Sequence, residues 1–282
     1  MHVIKIYPKP PYRILLHLRT FSIEGEPVPC IVDGITCRRC LREICWKTII
    51  VREGDEPFLK VLVFSGDLAK AEKVVRRIYN VEFDYNILLM ASKKYPELHK
   101  IVKKYSGLRP ALSATMWESL IKAIVMQRIM LKFALKVISK LVKKFGRKVV
   151  LGDESFYDFP TPETLKDAEN SVLRSLGLSR NKVNYIKNIS ILVSKGVIDL
   201  EEIAKKKPEN AVNELTSLGG VGPWTAKLAY IAYTGYMGLD LFEDSSVRRA
   251  LLRLNVDVEK IKSDFKENIG YLLYLISLKG KH

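Results

Sequence analysis

A glycine-rich turn between two helical segments is the feature that most constrains the fold of this chain. The apolar face of the first helix ends at Leu218, and Gly219 and Gly220 then permit a left-handed turn. Pro223 suits the first position of the next helix. Because Gly222 precedes that helix, backbone N–H groups and the positive helix end converge on a patch that can bind phosphate. The turn therefore indicates nucleic-acid binding.

The net charge supports the same partner. The 282 residues contain 47 Lys plus Arg against 31 Asp plus Glu, a formal charge of +16. This balance is typical of proteins that bind phosphate backbones, and a lysine-rich surface that serves only solubility is the alternative. With 48% hydrophobic residues, the chain can bury a substantial core in two or three domains.

Two absences indicate where the protein works. No segment approaches the roughly 18 continuous apolar residues of a membrane span. Residues 1–13 lack the apolar core of a signal peptide. We therefore expect a cytoplasmic protein, associated with the nucleoid and without a membrane partner. We also expect a monomer.

The composition changes near residues 108–110, where we place a domain boundary. Before it, three segments rich in Val and Ile are strand-like, with turn signals between them, and they predict a small antiparallel sheet: residues 28–32, 41–51 and 58–64. Residues 68–79 predict an amphipathic helix that packs on this sheet. After the boundary, almost every segment has helical spacing.

The predicted fold is mainly α with an N-terminal α+β domain. Residues 1–110 would form the α+β domain with its antiparallel sheet. Residues 111–282 would form helical bundle domains, with a helix-hairpin-helix motif at about 208–236. The final helix would pack back toward the N-terminal domain.

Several kinds of chemistry find no support in the chain. The four histidines are scattered, which argues against a His-based triad: His2, His17, His99 and His282. There is no phosphate-binding loop of the Walker type, and the glycine-rich turn lacks the preceding strand of a dinucleotide fingerprint. We therefore expect no nucleotide cofactor.

Asp244 is the strongest candidate for a catalytic acid. It follows the apolar Leu241 and Phe242 and precedes a helix that begins at Ser245. One interpretation is an ordinary N-cap, which stabilises its helix by about 1 kcal/mol. The other is a buried acid, and both roles can coexist.

The hairpin and the acid at the next helix start together resemble the helix-hairpin-helix DNA glycosylase superfamily. Three further segments are similar to the 3-methyladenine DNA glycosylase II family: FPTPETL, LGLSRNKVNYI and WESLIKAIVMQ. PPYRILLHL and RRIYNVEFDYNILL are similar to the N-terminal domain of that family. The resemblance covers nearly the whole chain, more weakly before Leu108.

The resemblance implies base excision repair of double-stranded DNA that contains damaged bases. The enzyme would flip out an alkylated purine of the 3-methyladenine type and cleave its N-glycosidic bond with the help of Asp244. Relatives that also cut the strand use a lysine where this chain has Trp224, so we expect no strand cleavage, although Lys227 lies close by. The alternatives are an oxidised-purine (8-oxoguanine type) glycosylase and a non-catalytic binder of distorted DNA.

The resemblance also implies a pocket for the flipped base. Its candidate walls come from three helices: Trp224, Leu228, Ser245, Tyr271, Tyr274 and Ser277. The indole of Trp224 would attract a cationic alkylated base by about 0.5–2 kcal/mol. A core anchor in the first turn of its helix is the other interpretation of Trp224.

The contacts with the DNA backbone and with the gap left by the flipped base follow from the same resemblance. Gln127 and Arg128 lie where the family inserts a wedge, a side chain that fills the gap left by the flipped base. Arg128 can stack between bases there or simply be an exposed cation. The N–H groups of Gly220 and Gly222 would face a phosphate. No cofactor is required, and a monovalent cation would be held by main-chain carbonyls of Thr216, Leu218 and Val221.

All four cysteines fall in one stretch of the strand-rich region: Cys30, Cys37, Cys40 and Cys45. The spacing permits a metal site. Endonuclease III relatives carry an iron–sulfur cluster on a similar spacing, but theirs lies near the C-terminus, so the position argues against the same role here. Packed thiols, one or two disulfides and a metal site all remain open.

Overall fold

Five strands near the N-terminus form one antiparallel sheet in this computed structural model, which describes residues 1–278. The strands are β1 (His2–Ile6), β2 (Ile31–Asp33), β3 (Thr36–Leu41), β4 (Ile44–Arg52) and β5 (Phe58–Ser65). They lie in the order β1-β5-β4-β3-β2. Alternation along β5 buries Leu59, Val61 and Val63, as the period of two in a strand requires.

The predicted sheet and the helix beside it are confirmed. Helix α2 (Leu68–Ile78) follows a short α1 (Leu15–Thr20) in the chain. It begins where the side chain of Asp67 accepts a hydrogen bond from the Lys70 N–H. Its apolar side chains Ala71 and Val75 share a core with the buried residues of β5.

The strand boundaries differ from the prediction at two places. Residues 41–51 were predicted as one strand, but Arg42 has a φ of 52°, and the chain reverses there between β3 and β4. Residues 28–32 were predicted as a strand, but β2 begins only at Ile31. Pro29 explains the late start, because proline donates no hydrogen bond to a ladder. Strand β1 was not predicted.

Thirteen further helices lie among the described residues. In the first part are α3 (Asn86–Ser92) and α4 (Pro96–Lys104). The central helices are α5 (Met116–Met126), α6 (Leu131–Phe145), α7 (Pro162–Asp167), α8 (Asn170–Ser175), α9 (Arg180–Ser194) and α10 (Leu200–Ala204). The last are α11 (Pro208–Thr216), α12 (Pro223–Thr234), α13 (Ser245–Leu254), α14 (Val258–Phe265) and α15 (Ile269–Leu278). The mainly helical fold with a small antiparallel sheet is thereby confirmed.

The helices share two hydrophobic cores. Helices α5, α6, α9, α11 and α12 contribute side chains to one of them, and α5 packs directly on α12. The second core joins α3 and α4 to α13, α14 and α15. Helix α15 therefore packs against α4, which precedes the boundary proposed at residue 110. That exact boundary stays a prediction, and the last predicted residues, with His282, lie outside the described range.

A short hairpin interrupts the region that was predicted to be almost wholly helical. Strands β6 (Lys148–Leu151) and β7 (Glu154–Tyr157) pair around Gly152, whose φ is +62°. Phe156 on β7 is fully buried against Cys40 and Cys45 of the sheet. The two-residue turn Gly152-Asp153 is a local hairpin signal that the sequence analysis missed, and Phe156 joins the hairpin to the sheet.

The cysteines pair as two disulfides. Cys30 is joined to Cys37, and Cys40 is joined to Cys45 across the facing strands β3 and β4. None of the four thiols is free. Of the alternatives left open by the spacing, the structure contains the disulfides.

A buried ion pair joins the sheet to the helices. The Arg39 guanidinium on β3 donates to the Glu118 carboxylate on α5 at 2.7 Å, and both side chains are almost fully buried. Burial alone would raise the pKa of Glu118, but Arg39 and Lys122 outweigh it and lower the pKa. A carboxylate buried in this way remains charged because it is paired. Helix α5 is thus fixed to the sheet, which matters because α5 ends at the wedge candidates.

No helix within residues 1–278 has the length and apolar content needed to cross a bilayer.

Candidate active site

The turn between α11 and α12 adopts a geometry that only glycine tolerates at one position. The Val221 N–H donates to the Leu218 carbonyl at 3.0 Å and closes the turn. Gly220 has a φ of +87°, and a Cβ placed on it would lie 2.1 Å from the Tyr185 ring. Both the backbone conformation and the packing therefore require glycine here. Gly222 is different, because a Cβ at its position would meet nothing within 4 Å.

Helix α12 begins at Pro223 directly after Gly222, as the sequence predicts. The first N–H groups of a helix have no partner within it, and they point toward any anion placed before the helix start. Gly222 is accessible from this side, and the contact of Gly220 and Gly222 with a phosphate stays a prediction. So does the cation at the carbonyls of Thr216, Leu218 and Val221.

Asp244 is the N-cap of α13 and is half-buried. Its Oδ1 accepts hydrogen bonds from the Ser246 N–H at 2.8 Å and the Val247 N–H at 3.2 Å, and the Ser246 hydroxyl also donates to Oδ1. All of these bonds use one carboxylate oxygen. Oδ2 takes no part in the cap, so the geometry is compatible with both interpretations of Asp244.

The loop before Asp244 is anchored by Lys227, which projects from α12. The Lys227 Nζ lies 3.1 Å from Asp240 Oδ1 and 2.9 Å from Glu243 Oε1. The other oxygen of Asp240 lies 3.2 Å from Lys262 Nζ on α14. Four charged side chains thus connect two helices to the segment that carries Asp244.

The environment of Lys227 makes it a poor nucleophile. Burial alone would lower the pKa of Lys227, but its contacts with Glu243 and Asp240 outweigh burial and raise the pKa. A lysine that attacks a sugar carbon must first lose its proton, which these carboxylates oppose. Lys227 therefore fits a structural role better than a lyase role.

Trp224 lies in the first turn of α12 and is half-buried. Its indole is not part of any of the hydrophobic clusters formed by residues 1–278, whereas Leu228, one turn later, packs against the large helical core. A core anchor would be expected within such a cluster. Trp224 is thus placed more like a surface wall than like a core residue.

The remaining pocket candidates occupy different environments. Tyr271 is fully buried, and its hydroxyl donates to the Leu108 carbonyl. Tyr274 is half-buried, with its hydroxyl 2.8 Å from His17 Nδ1, and Ser277 donates to the Tyr274 carbonyl at 2.7 Å. Ser245 is exposed at the start of α13. Tyr271 therefore lies inside the second helical core, and its role in a base pocket stays a prediction.

The structure separates the two wedge candidates. The Gln127 Nε2 donates to the Gly220 carbonyl and to the Thr225 hydroxyl, both at 2.9 Å. Arg128 follows it with a φ of +53° and is exposed. Gln127 is therefore engaged with the hairpin, and Arg128 is the residue that faces solvent.

Two residues near the site were missed at the sequence level. The Lys182 ammonium, on α9, donates to the carbonyls of Val125 and Gln127, both at 2.7 Å. Its only sequence signal was its place on the buried face of α9, beside Val183, where a lysine must find partners. The His17 ring stacks on Phe21 beside Tyr274, a contact between distant segments that no local pattern indicates.

The fold is that of a helix-hairpin-helix base excision protein. The family model described as "HhH-GPD superfamily base excision DNA repair protein" matches residues 121–269, which is more than half of the chain. The chain therefore belongs to the HhH-GPD superfamily. The resemblance inferred from its motifs is confirmed.

Individual relatives agree with this assignment. A DNA-3-methyladenine glycosylase of Bacillus subtilis is 26% identical over 160 residues, which are 56% of this chain and 53% of the relative. DNA-3-methyladenine glycosylase 1 of Schizosaccharomyces pombe is 26% identical over 166 residues, 58% of this chain and 68% of the relative. The matches thus span about half to two thirds of the length of these curated relatives.

A solved structure extends the likeness to the whole chain. The 3-methyladenine DNA glycosylase of Archaeoglobus fulgidus superposes with a TM-score of 0.85 at 26% identity and covers 99% of this chain and 98% of its own. An 8-oxoguanine glycosylase/lyase of Clostridium acetobutylicum gives a TM-score of 0.70 at 19% identity, which shows a shared fold only.

Proposed function

We propose that this protein is a monofunctional DNA glycosylase that removes alkylated purines of the 3-methyladenine type from double-stranded DNA. The observation that carries the proposal is that Asp244 is a half-buried acid at the start of α13 and that Lys227 connects the loop before it to α12, the helix whose first turn carries Trp224. The names of the relatives from Bacillus subtilis and Archaeoglobus fulgidus support the same substrate class.

The hairpin would hold the DNA backbone. The N-terminus of α12, reached past Gly222, offers N–H groups and a positive helix end to one phosphate. The formal charge of +16 attracts the rest of the backbone without regard to sequence. A protein that must inspect long stretches of undamaged duplex needs this kind of contact.

Base flipping would bring the lesion to the site. Unstacking costs a few kcal/mol and is least for damaged bases. Arg128, exposed and in a left-handed conformation, would fill the gap left in the duplex. The Trp224 indole would then stack on the extruded base, and a cationic alkylated base gains most from this contact.

Cleavage requires stabilisation of positive charge on the sugar. The C1′–N bond breaks and its electron pair leaves with the base, so an alkylated purine that was cationic departs as a neutral molecule. Charge develops at C1′, where the Asp244 carboxylate stabilises it. Water then adds to C1′ and loses a proton, which leaves an abasic site in an intact strand.

Strand cleavage is not expected from this arrangement. The indole of Trp224 cannot form a Schiff base, and Lys227 is held by two carboxylates. A lyase would need a neutral amine at the sugar.

The substrate class can be tested by identifying the released bases. The protein is incubated with duplex treated with dimethyl sulfate and, separately, with duplex that contains 8-oxoguanine, and the products are analysed by mass spectrometry. We expect free methylated purines from the first duplex and no 8-oxoguanine from the second. Release of 8-oxoguanine together with a borohydride-trapped adduct would instead support a bifunctional oxidised-purine enzyme, and tight binding without release would support a non-catalytic binder.

A further inference from the structure

A chain of contacts connects the exposed wedge loop to the hairpin. Residues 128–130 between α5 and α6 project into solvent, and the side chains of Ile129 and Met130 are 40% and 67% exposed. The loop therefore has little packing of its own. Its position depends on the residue from which it departs, which is Gln127 at the end of α5.

Gln127 is held from two sides. Its main-chain carbonyl accepts a hydrogen bond from Lys182 Nζ at 2.7 Å. Its side-chain amide donates to the Gly220 carbonyl and to the Thr225 hydroxyl. The same residue thus contacts α9 through its backbone and the hairpin through its side chain.

Helix α9 contacts both the end of α5 and the hairpin. Lys182 Nζ also donates to the Val125 carbonyl at 2.7 Å, so it satisfies two carbonyls at the end of α5 that lack helical partners. One turn along α9, the Tyr185 ring lies directly beneath Gly220. Because Lys182 is 9% exposed, its ammonium keeps these bonds only while α9 and the end of α5 stay together, and Gln127 and Tyr185 then connect both segments to the hairpin.

We infer that Lys182 and Gln127 are positioning residues. They hold the wedge residue Arg128 at a fixed position relative to the phosphate-binding hairpin. Neither residue touches the reacting atoms. Their task is to keep the distance between the backbone contact and the inserted side chain fixed while a base is extruded. The inference rests on the proposed function, since it concerns how a flipped base is replaced.

The inference is tested with two duplexes that differ only in the cost of flipping. Each carries one 7-methylguanine, opposite cytosine in the first and opposite an abasic-site analogue in the second. Base release is followed under single-turnover conditions for the wild type, Lys182→Met, Gln127→Leu and Lys182→Arg. An unpaired lesion costs less to extrude. A displaced wedge should therefore slow base release mainly from the paired duplex.

Lys182→Met should slow release from the paired duplex by about tenfold, because the Val125 and Gln127 carbonyls lose the donor that fixes the end of α5. Release from the unpaired duplex should change by less than about twofold. Gln127→Leu should show the same selective loss, and Lys182→Arg should recover much of the rate. Gln127→Leu also decides the matter if Lys182→Met does not fold.

A matched control lies on the same helix. Lys187 on α9 donates to the Ala168 carbonyl at 2.8 Å, away from the wedge and the hairpin. Lys187→Met should leave the ratio of the two rates unchanged. Equal losses on both duplexes, or no loss on either, would overturn the inference. A wild-type protein that releases no base from either duplex would overturn the proposed function and the inference with it.

Discussion

The two edges of the proposed site are fixed by different physical means. At the hairpin edge, Gly220 packs on the Tyr185 ring, and its carbonyl accepts a hydrogen bond from Gln127. At the acid edge, the loop before Asp244 is anchored by Lys227 through Asp240 and Glu243. The first edge depends on steric fit and neutral hydrogen bonds, and the second depends on charge.

This difference predicts different sensitivities. Side-chain exposure at the acid edge ranges from 18% for Asp240 to 52% for Lys262, so water and salt reach these ion pairs. Partly exposed pairs contribute modestly to stability. The structure of the hairpin edge should therefore be insensitive to salt concentration. The position of Asp244 should change with salt concentration.

The largest expected effect separates chemistry from binding. Asp244→Asn retains an N-cap side chain, so α13 should remain folded. The variant loses the negative charge that would stabilise the sugar cation, and base release should fall by at least about 100-fold. Single-turnover release and duplex affinity measured on the same preparation check this. Release at the wild-type rate would contradict the assignment of Asp244.

The second largest effect is expected from a substitution that disrupts the hairpin edge. Gly220→Ala drives a methyl group into the Tyr185 ring at a residue with positive φ, and we expect a loss of about 1–3 kcal/mol in the free energy of unfolding. Affinity for undamaged duplex should weaken as well. The control is Gly219→Ala, where a Cβ meets nothing within 4 Å, and its cost should stay within about 0.5 kcal/mol. Equal effects of both variants would contradict the packing argument.

A smaller effect concerns the anchor of the acid edge. Lys227→Met removes both ion pairs to the loop, so release should slow by about tenfold as Asp244 loses its fixed position. Affinity for undamaged duplex should change little. Lys262→Met removes only the outer contact with Asp240 and should have a weaker effect. A complete loss of release with Lys227→Met but not with Asp244→Asn would indicate that Lys227 is itself the reactive group.

The smallest effect is a pH dependence of stability. Burial alone would raise the pKa of Asp240, but Lys227 and Lys262 outweigh it and lower the pKa. The stabilisation is therefore fully present above the unfolded pKa of about 3.9 and is lost as the pH falls through the lower, folded value. Between pH 6 and pH 3, the free energy of unfolding should fall more in the wild type than in Asp240→Asn. The excess loss should be below about 1 kcal/mol and is measured by thermal unfolding. An identical acid response of the two proteins would contradict the pairing.

Local features of the fold were predictable from the sequence. The hairpin at Gly219 to Pro223, the helix start at Asp244 and the helix at residues 68–79 each depend on residues a few positions apart. Capping, turn and periodicity rules act over that range. The family resemblance rests on the same hairpin, on Asp244 and on other short segments of the chain. The sequence alone was therefore enough to infer the superfamily.

Contacts between distant segments were not predictable. The turn at Arg42 contains no glycine or proline that would mark it, and the packing of Phe156 against the sheet joins segments that are far apart in the chain. The engagement of Gln127 with Gly220, and of Lys227 with Asp240 and Glu243, arises only when helices are brought together. For the same reason the contact of the Tyr271 hydroxyl with the Leu108 carbonyl could not be predicted, since 163 positions separate the two residues.

The separation of binding from chemistry is tested most directly by duplex affinity in a double-variant cycle. Dissociation constants for one undamaged duplex, which no variant can cleave, are measured for the wild type, Asp244→Asn, Gly220→Ala and the protein with both changes. If the hairpin edge binds DNA and the acid edge acts only in the reaction, the two effects on binding free energy should add within about 0.5 kcal/mol. A binding loss from Gly220→Ala that disappears in the Asp244→Asn background would contradict the account.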